Sequence, residues 1–141
     1  MHLLDVNVLI ALSDPTHVHH GRVRRWFHSN EREAWATCPL TENGLVRILG
    51  HPNYPDFAGT TDDARAILAA LTSAPGHQFW ADDLSLVDHQ SFPRLPISRH
   101  LTDCYLLALA VQRGGQLATL DARIDASLIP GGPPAYFVIP G

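Results

Sequence analysis

The sequence predicts an α/β fold in one domain, residues 1–141, with a mostly parallel sheet of about four or five short strands flanked by helices. Three observations carry that expectation. Short apolar segments of strand length alternate with segments of helical periodicity, the pattern of strands joined by helical crossovers. The chain of 141 residues holds no internal repeat, low-complexity tract or interdomain linker, and that length buries one proper core. The opening stretch from Leu3 to Leu12 sets a carboxylate, Asp5, near the end of an apolar strand, where open α/β sheets place their ligands.

Residues 2–6 read as the first strand, and helix begins at Val8. Asp14-Pro15 marks a turn, and 16–29 reads as a helix with Val18, Val23, Trp26 and Phe27 apolar. Arg22 and Arg25 share a face of it, with Arg24 beside them. Residues 34–38 form a second strand closed by Pro39, and Thr41 caps a helix that runs to Gly50. His51-Pro52-Asn53-Tyr54-Pro55 is a rigid loop, since two prolines preclude helix and central strand. Thr60 or Thr61 caps a helix carrying Ala64, Ile67, Leu68 and Leu71, which ends before Pro75-Gly76. A third strand spans 78–81, a brief helix 84–90, and a proline-broken stretch 92–96. The clearest helix spans 99–113, with Leu106, Leu107, Ala110 and Val111 at helical spacing and Gly114-Gly115 as its stop. Strand 116–120 leads into Asp121, and 136–139 is the last strand.

Composition narrows the chemistry. All ten basic residues are arginine, so mechanisms that need a lysine are excluded. Fourteen acids give a formal charge of −4, and no global basic field advertises nucleic acid; bound divalent cations would invert the charge locally. Cys38 and Cys104 lack metal-ligand spacing and are too few for a disulfide scaffold, so they read as reduced packing residues of a cytoplasmic protein. Asp5 interrupts the N-terminus before a signal-peptide apolar core could form. The longest apolar run, from Cys104 to Val111, is too short to span a bilayer.

Two helices carry an acid where a core residue belongs. Glu42 shares its face with Leu45, Val46 and Leu49, and Asp103 shares its face with Leu107 and Ala110. Either one alone reads equally well as an acid near a positive helix N-terminus. With Asp5 and Asp121, each at a strand end, they point to one edge of a parallel sheet. Four uncompensated charges there repel, and shared protonation or divalent metal relieves them. An all-oxygen set favours Mg2+ or Mn2+ over zinc. Without these four, ten acids balance ten arginines.

The ordered set Asp5-Val6-Asn7-Val8-Leu9-Ile10, Thr41-Glu42, Thr102-Asp103 opening an apolar helix, and Leu117-Ala118-Thr119-Leu120-Asp121 resembles the PIN-domain nucleases. Within them it is most similar to the VapC-type toxins of bacterial toxin–antitoxin pairs. The His51-Pro52-Asn53-Tyr54-Pro55 loop resembles a mycobacterial branch. The likeness covers essentially the whole chain. It implies a three-layer PIN-like sandwich and a metal-dependent endoribonuclease, with Asp5, Glu42, Asp103 and Asp121 as the acidic quartet around one or two Mg2+ or Mn2+ ions. It implies Asn7, Thr41 and Thr119 as groups that orient the carboxylates. It also implies an RNA substrate, a structured one such as tRNA, an antitoxin covering the acidic cleft, and a homodimer; no membrane is involved.

Plainer readings stand beside these. Thr41 caps its helix, and Asn7 stabilises a turn. Asp125, four residues past Asp121, is either an extra ligand or a solvated acid in a short helical turn. Arg22, Arg24 and Arg25 grip RNA phosphate, face the antitoxin, or are simply solvated. The nine histidines show no ligand spacing, although His100, three before Asp103, is expected to approach the site. A haloacid-dehalogenase-like phosphatase requires a second acid where Asn7 stands, and both it and a receiver domain require the missing lysine. A catalytically inactive PIN-like protein-binding module is the alternative from a different class.

Overall fold

The computed structural model describes residues 1–30, 33–55 and 59–141. Among the described residues, five strands form one wholly parallel sheet in the order β3-β2-β1-β4-β5. They are β1 (His2–Leu4), β2 (Trp35–Thr37), β3 (His77–Phe79), β4 (Gln116–Thr119) and β5 (Tyr136–Val138). Successive side chains leave a strand on opposite faces, and the two cores divide accordingly. Leu3, Ala36 and Leu117 join the core under helix α5 (Leu101–Gln112). Leu4, Trp35 and Ala118 join the core under α1 (Val6–Ser13), α2 (His20–Ser29), α3 (Pro39–Leu49) and α4 (Thr61–Thr72). A short α6 (Gly132–Ala135) packs back on α5. The expected three-layer sandwich is therefore present, with five strands.

The element boundaries moved where side chains competed with the backbone. β1 ends at Leu4 rather than at residue 6, because the Asp5 carboxylate accepts the Val6 N–H at 2.7 Å and caps α1. α2 starts at His20 rather than at 16. Upstream, Asp14 accepts from the Thr16 N–H and hydroxyl, and His17 Nδ1 accepts the His19 N–H, so those donors close turns instead. Pro39 opens α3 instead of merely closing β2, since its missing N–H costs nothing in the first turn. The cap of that helix is Cys38, not Thr41. No helix forms over 84–90; Ser85 and Asp88 accept the N–H groups of Val87 and Gln90 in local turns. The capping box expected near Thr60 is present, with Asp63 accepting the Thr60 N–H and Thr60 the Asp63 N–H.

α5 is apolar on every side, with Cys104 through Ala110 all buried, which is what a helix pressed between the sheet and the 80–97 segment requires. Gly114, at φ 70°, closes it in the left-handed region. Trp26, Trp35 and Trp80 are core residues, and both cysteines are buried and unpaired. α1 and α3 cross at a glycine: a Cβ on Gly44 would lie 2.6 Å from Val6 Cγ2. That close crossing brings the start of α1, with Asp5, near the start of α3, with Glu42. Among the described residues, no helix is long and apolar enough to cross a membrane.

Candidate metal centre

Parallel strands all end at the same edge of a sheet, and the helices that follow β1 and β2 begin there. Asp5 caps α1 directly after β1, Glu42 lies in the first turn of α3, Asp103 in the first turn of α5, and Asp121 two residues after β4. Asp5 is 4% exposed. Burial pushes its carboxyl up to about 6, and the negative charges of Asp103 and Asp121 add to the rise while the Thr119 and Val6 hydrogen bonds oppose it. Asp103 is also raised, by burial first and then by Asp121. These acids thus share one electrostatic site.

Asp5, Asp121 and Glu42 are each engaged by a donor. Thr119 Oγ1 donates to Asp5 Oδ2 at 2.7 Å, and the same hydroxyl oxygen accepts from Asn7 Nδ2 at 3.2 Å and from the Asp121 N–H at 3.1 Å. Asn7 Oδ1 accepts the Leu120 N–H at 3.1 Å, so its amide bridges α1 to the segment after β4. Asp121 is held by Arg123, whose Nε donates to Oδ1 at 3.0 Å and whose N–H donates to the same oxygen at 2.9 Å. That pairing keeps the Asp121 carboxyl below its usual range, with His100 contributing further. The Tyr136 hydroxyl donates to the Asp121 carbonyl.

Glu42 is oriented by a residue the sequence reading overlooked. Thr37, fully buried at the end of β2, donates its hydroxyl to Glu42 Oε2 at 2.6 Å and lies 2.8 Å from His77 Nε2. Thr41 was expected to orient a carboxylate. Its hydroxyl instead accepts the Cys38 N–H at 2.9 Å and donates to the Cys38 carbonyl at 3.1 Å, because at the third position of α3 it reaches back to the helix start. Thr37 and Thr119 are each the last residue of their strand, and a buried hydroxyl at a strand's C-terminal end was the signal available for both. Arg123 was overlooked as well; an arginine two residues past an acid closes an Asx-type turn back onto it.

The remaining candidates lie elsewhere or serve the scaffold. Asp125 is exposed and accepts from the Ser127 N–H at 3.1 Å and from its hydroxyl, capping a 3-10 turn over Ala126–Leu128. Arg22 Nε donates to the Pro140 carbonyl at 3.0 Å and its Nη2 to the Ile139 carbonyl, tying α2 to the chain beyond β5. Arg24 and Arg25 are exposed on α2.

Among the described residues, no three His, Cys, Asp or Glu side chains sit as a ready-made metal set. The expected quartet is one coupled group, Asp5, Asp103 and Asp121, with Glu42 turned to Thr37 at the same edge. The donors nonetheless fit a hard divalent cation in kind. All are carboxylate oxygens, and the repulsion and burial that raise Asp5 are what a cation would reverse. Beside Glu42 a cleft of about 550 Å³ opens between α3 and α4, lined by Asn43, Val46, Arg65 and Phe79.

The PIN-domain family model matches residues 2–127. Ribonuclease VapC38 of Mycobacterium tuberculosis is 48% identical over 124 residues, covering 88% of this chain and 87% of that one. The chain belongs to the PIN-domain family, among the VapC ribonucleases. Ribonuclease VapC39 of the same species is 47% identical over 131 residues, covering 92% and 94%, and Ribonuclease VapC44 is 40% identical over 131 residues, covering 92% of each. The PIN fold is also shared with the crystal structure of M. tuberculosis VapC20, described as a sarcin–ricin loop cleaving toxin. That match has a TM-score of 0.64 at 13% identity, over 92% of this chain and 97% of that one.

Proposed function

We propose that the protein is an endoribonuclease toxin of a toxin–antitoxin pair, hydrolysing phosphodiester bonds of a structured RNA such as tRNA. The observation that carries this reading is the buried Asp5 carboxyl, raised to about 6 and flanked by the charges of Asp103 and Asp121 at the C-terminal edge of the sheet. The high identity to curated VapC ribonucleases supports it. Asp5, Asp103, Asp121 and Glu42 would hold one or two Mg2+ or Mn2+ ions. Such an ion, when bound, supplies an activated water and stabilises charge on the phosphate.

The chain's own residues prepare that centre. Thr119, itself held by Asn7 and the Asp121 N–H, directs one oxygen of Asp5, and the cap on α1 directs the other. Both Asp5 oxygens are thereby fixed before any ligand arrives, which limits the reorganisation that binding costs. Arg123 is 82% exposed and is the cation nearest Asp121 by hydrogen bonding; it is placed to exchange that carboxylate for RNA phosphate. Phe79, 58% exposed and lining the cleft beside Glu42, offers a face on which an unpaired base stacks. No side-chain nucleophile is required, and attack by water leaves 5′-phosphate and 3′-hydroxyl ends. The antitoxin would cover the acidic cleft, and two copies would form the homodimer.

Expression of the chain without a partner tests the reading directly. Growth should arrest, and Asp5→Ala or Asp103→Asn should release it; sequencing 5′-phosphorylated RNA ends after induction should reveal discrete cleavage sites. Folded Asp5→Ala and Asp103→Asn variants that remain as toxic as the parent would overturn it.

A further inference from the structure

The pair Thr37–His77 lies outside the acidic set, yet it holds one of its members. Thr37 is fully buried, and its single hydroxyl group has two neighbours at hydrogen-bond distance: Glu42 Oε2 at 2.6 Å and His77 Nε2 at 2.8 Å. A hydroxyl has one proton to give. Thr37 gives that proton to Glu42 Oε2, so its Oγ1 must in turn accept a proton from His77 Nε2. We propose that His77 Nε2–H, Thr37 Oγ1–H and Glu42 Oε2 form a one-way hydrogen-bond relay in which Thr37 is a positioning residue. It fixes the Glu42 carboxylate in one orientation at the sheet edge that carries Asp5. This inference rests on the reading of Glu42 as a metal ligand.

The sheet explains why the relay is rigid. β2 and β3 pair in parallel, with Trp35 opposite His77 and Thr37 opposite Phe79. Residues two apart on a strand share a face, so Trp35, Thr37, His77 and Phe79 line the face over which α3 brings Glu42. The His77 ring packs against Trp35, with centroids 4.7 Å apart, and Trp35 is itself anchored by donating its indole N–H to the Pro75 carbonyl at 3.2 Å. The ring therefore has little freedom to turn Nε2 away from Thr37. Burial also favours the neutral ring, with Glu42 pulling the other way. A neutral ring with its proton on Nε2 is the tautomer the relay needs. Two strand-end threonines thus act in parallel, Thr119 on Asp5 and Thr37 on Glu42. Of the two, only the Thr37 arm runs on to a histidine on the edge strand.

The test combines two measurements on the full chain. Nitrogen-15 NMR of metal-free protein should show the His77 proton on Nε2, and Thr37→Val should erase that preference. Calorimetric titration with Mn2+ should show Thr37→Val binding roughly 10–100-fold more weakly than the parent, the usual cost of losing a group that orients a ligand. Thr37→Ser keeps the hydroxyl and should restore both readouts. Valine matches threonine in shape and suits a strand, so the metal-free melting temperature should move little. A His77 proton on Nδ1, or equal Mn2+ affinity in the parent and Thr37→Val, overturns the relay. A parent protein that binds no Mn2+ overturns the metal reading itself, and with it this role for Thr37.

Discussion

The Thr119 hydroxyl gives its one proton to Asp5 and takes two from Asn7 and the Asp121 backbone, so the start of α1 and the end of β4 are joined through a single oxygen. Thr119→Val should lower RNA cleavage by roughly 10–100-fold while costing about 1–3 kcal/mol of stability, since it strands buried polar partners; single-turnover rates and urea melts would show both. Asp5 makes a sharper case. Its folded carboxyl titrates at about 6 rather than at the ordinary 3.8, so between those values the folded chain binds more protons than the unfolded one. Metal-free stability should therefore fall as pH rises from about 4 to 6, by at most about 3 kcal/mol from this group, and Asp103 acts in the same direction. Asp121 acts oppositely, because the Arg123 pair lowers it, and its contribution is lost at still lower pH. Asp5→Asn isolates the first effect. It should be inactive, yet gain stability relative to the parent at pH 7.5, a gain that vanishes near pH 4. Equal parent and variant stabilities at both pH values would show that burial does not strain this carboxyl.

At the level of elements, the crossing of α1 and α3 sets the spacing between Asp5 and Glu42. Gly44→Val would drive a side chain into Val6, whose Cγ2 already lies 2.6 Å from an ideal Cβ there. Overpacking of this kind costs about 1–3 kcal/mol, and the shift of α3 should also weaken the melting-temperature response to Mn2+. A variant that melts lower but keeps the full Mn2+ response would uncouple the crossing from the site. The elements also show where sequence patterns suffice. Alternation of short apolar strands with helices was enough for the parallel sheet, and acids on apolar faces singled out Glu42 and Asp103, which lie in the first turns of α3 and α5. Boundaries were lost where a side chain outcompeted the backbone, as with Asp5 capping α1 and with Asp14 and His17 delaying α2. The Thr37–His77 contact was invisible for another reason. It joins residues 40 apart through the pairing of β2 and β3, and a one-dimensional pattern carries no register.

For the molecule as a whole, the formal charge of −4 equals the charge of Asp5, Glu42, Asp103 and Asp121. Occupying that edge with a cation should therefore stabilise the entire fold, by about 2.7 kcal/mol at a hundredfold excess over Kd, and chelation should reverse the gain. A melting temperature indifferent to millimolar Mg2+ and Mn2+ would contradict it. The placement of β1 has a temporal consequence. Asp5 gives its backbone N–H to the Ala118 carbonyl, and its carboxylate meets Thr119 114 residues further along the chain. A chain still emerging from the ribosome can expose β1, β2, α3 and α5, with three of the four acids, while β1 has only one neighbour. Contacts at such separation form late, since the loop between them must close first. On the proposed function, the nascent polypeptide stays harmless to the RNA around it until β4 has been synthesised, which leaves time for an antitoxin to arrive.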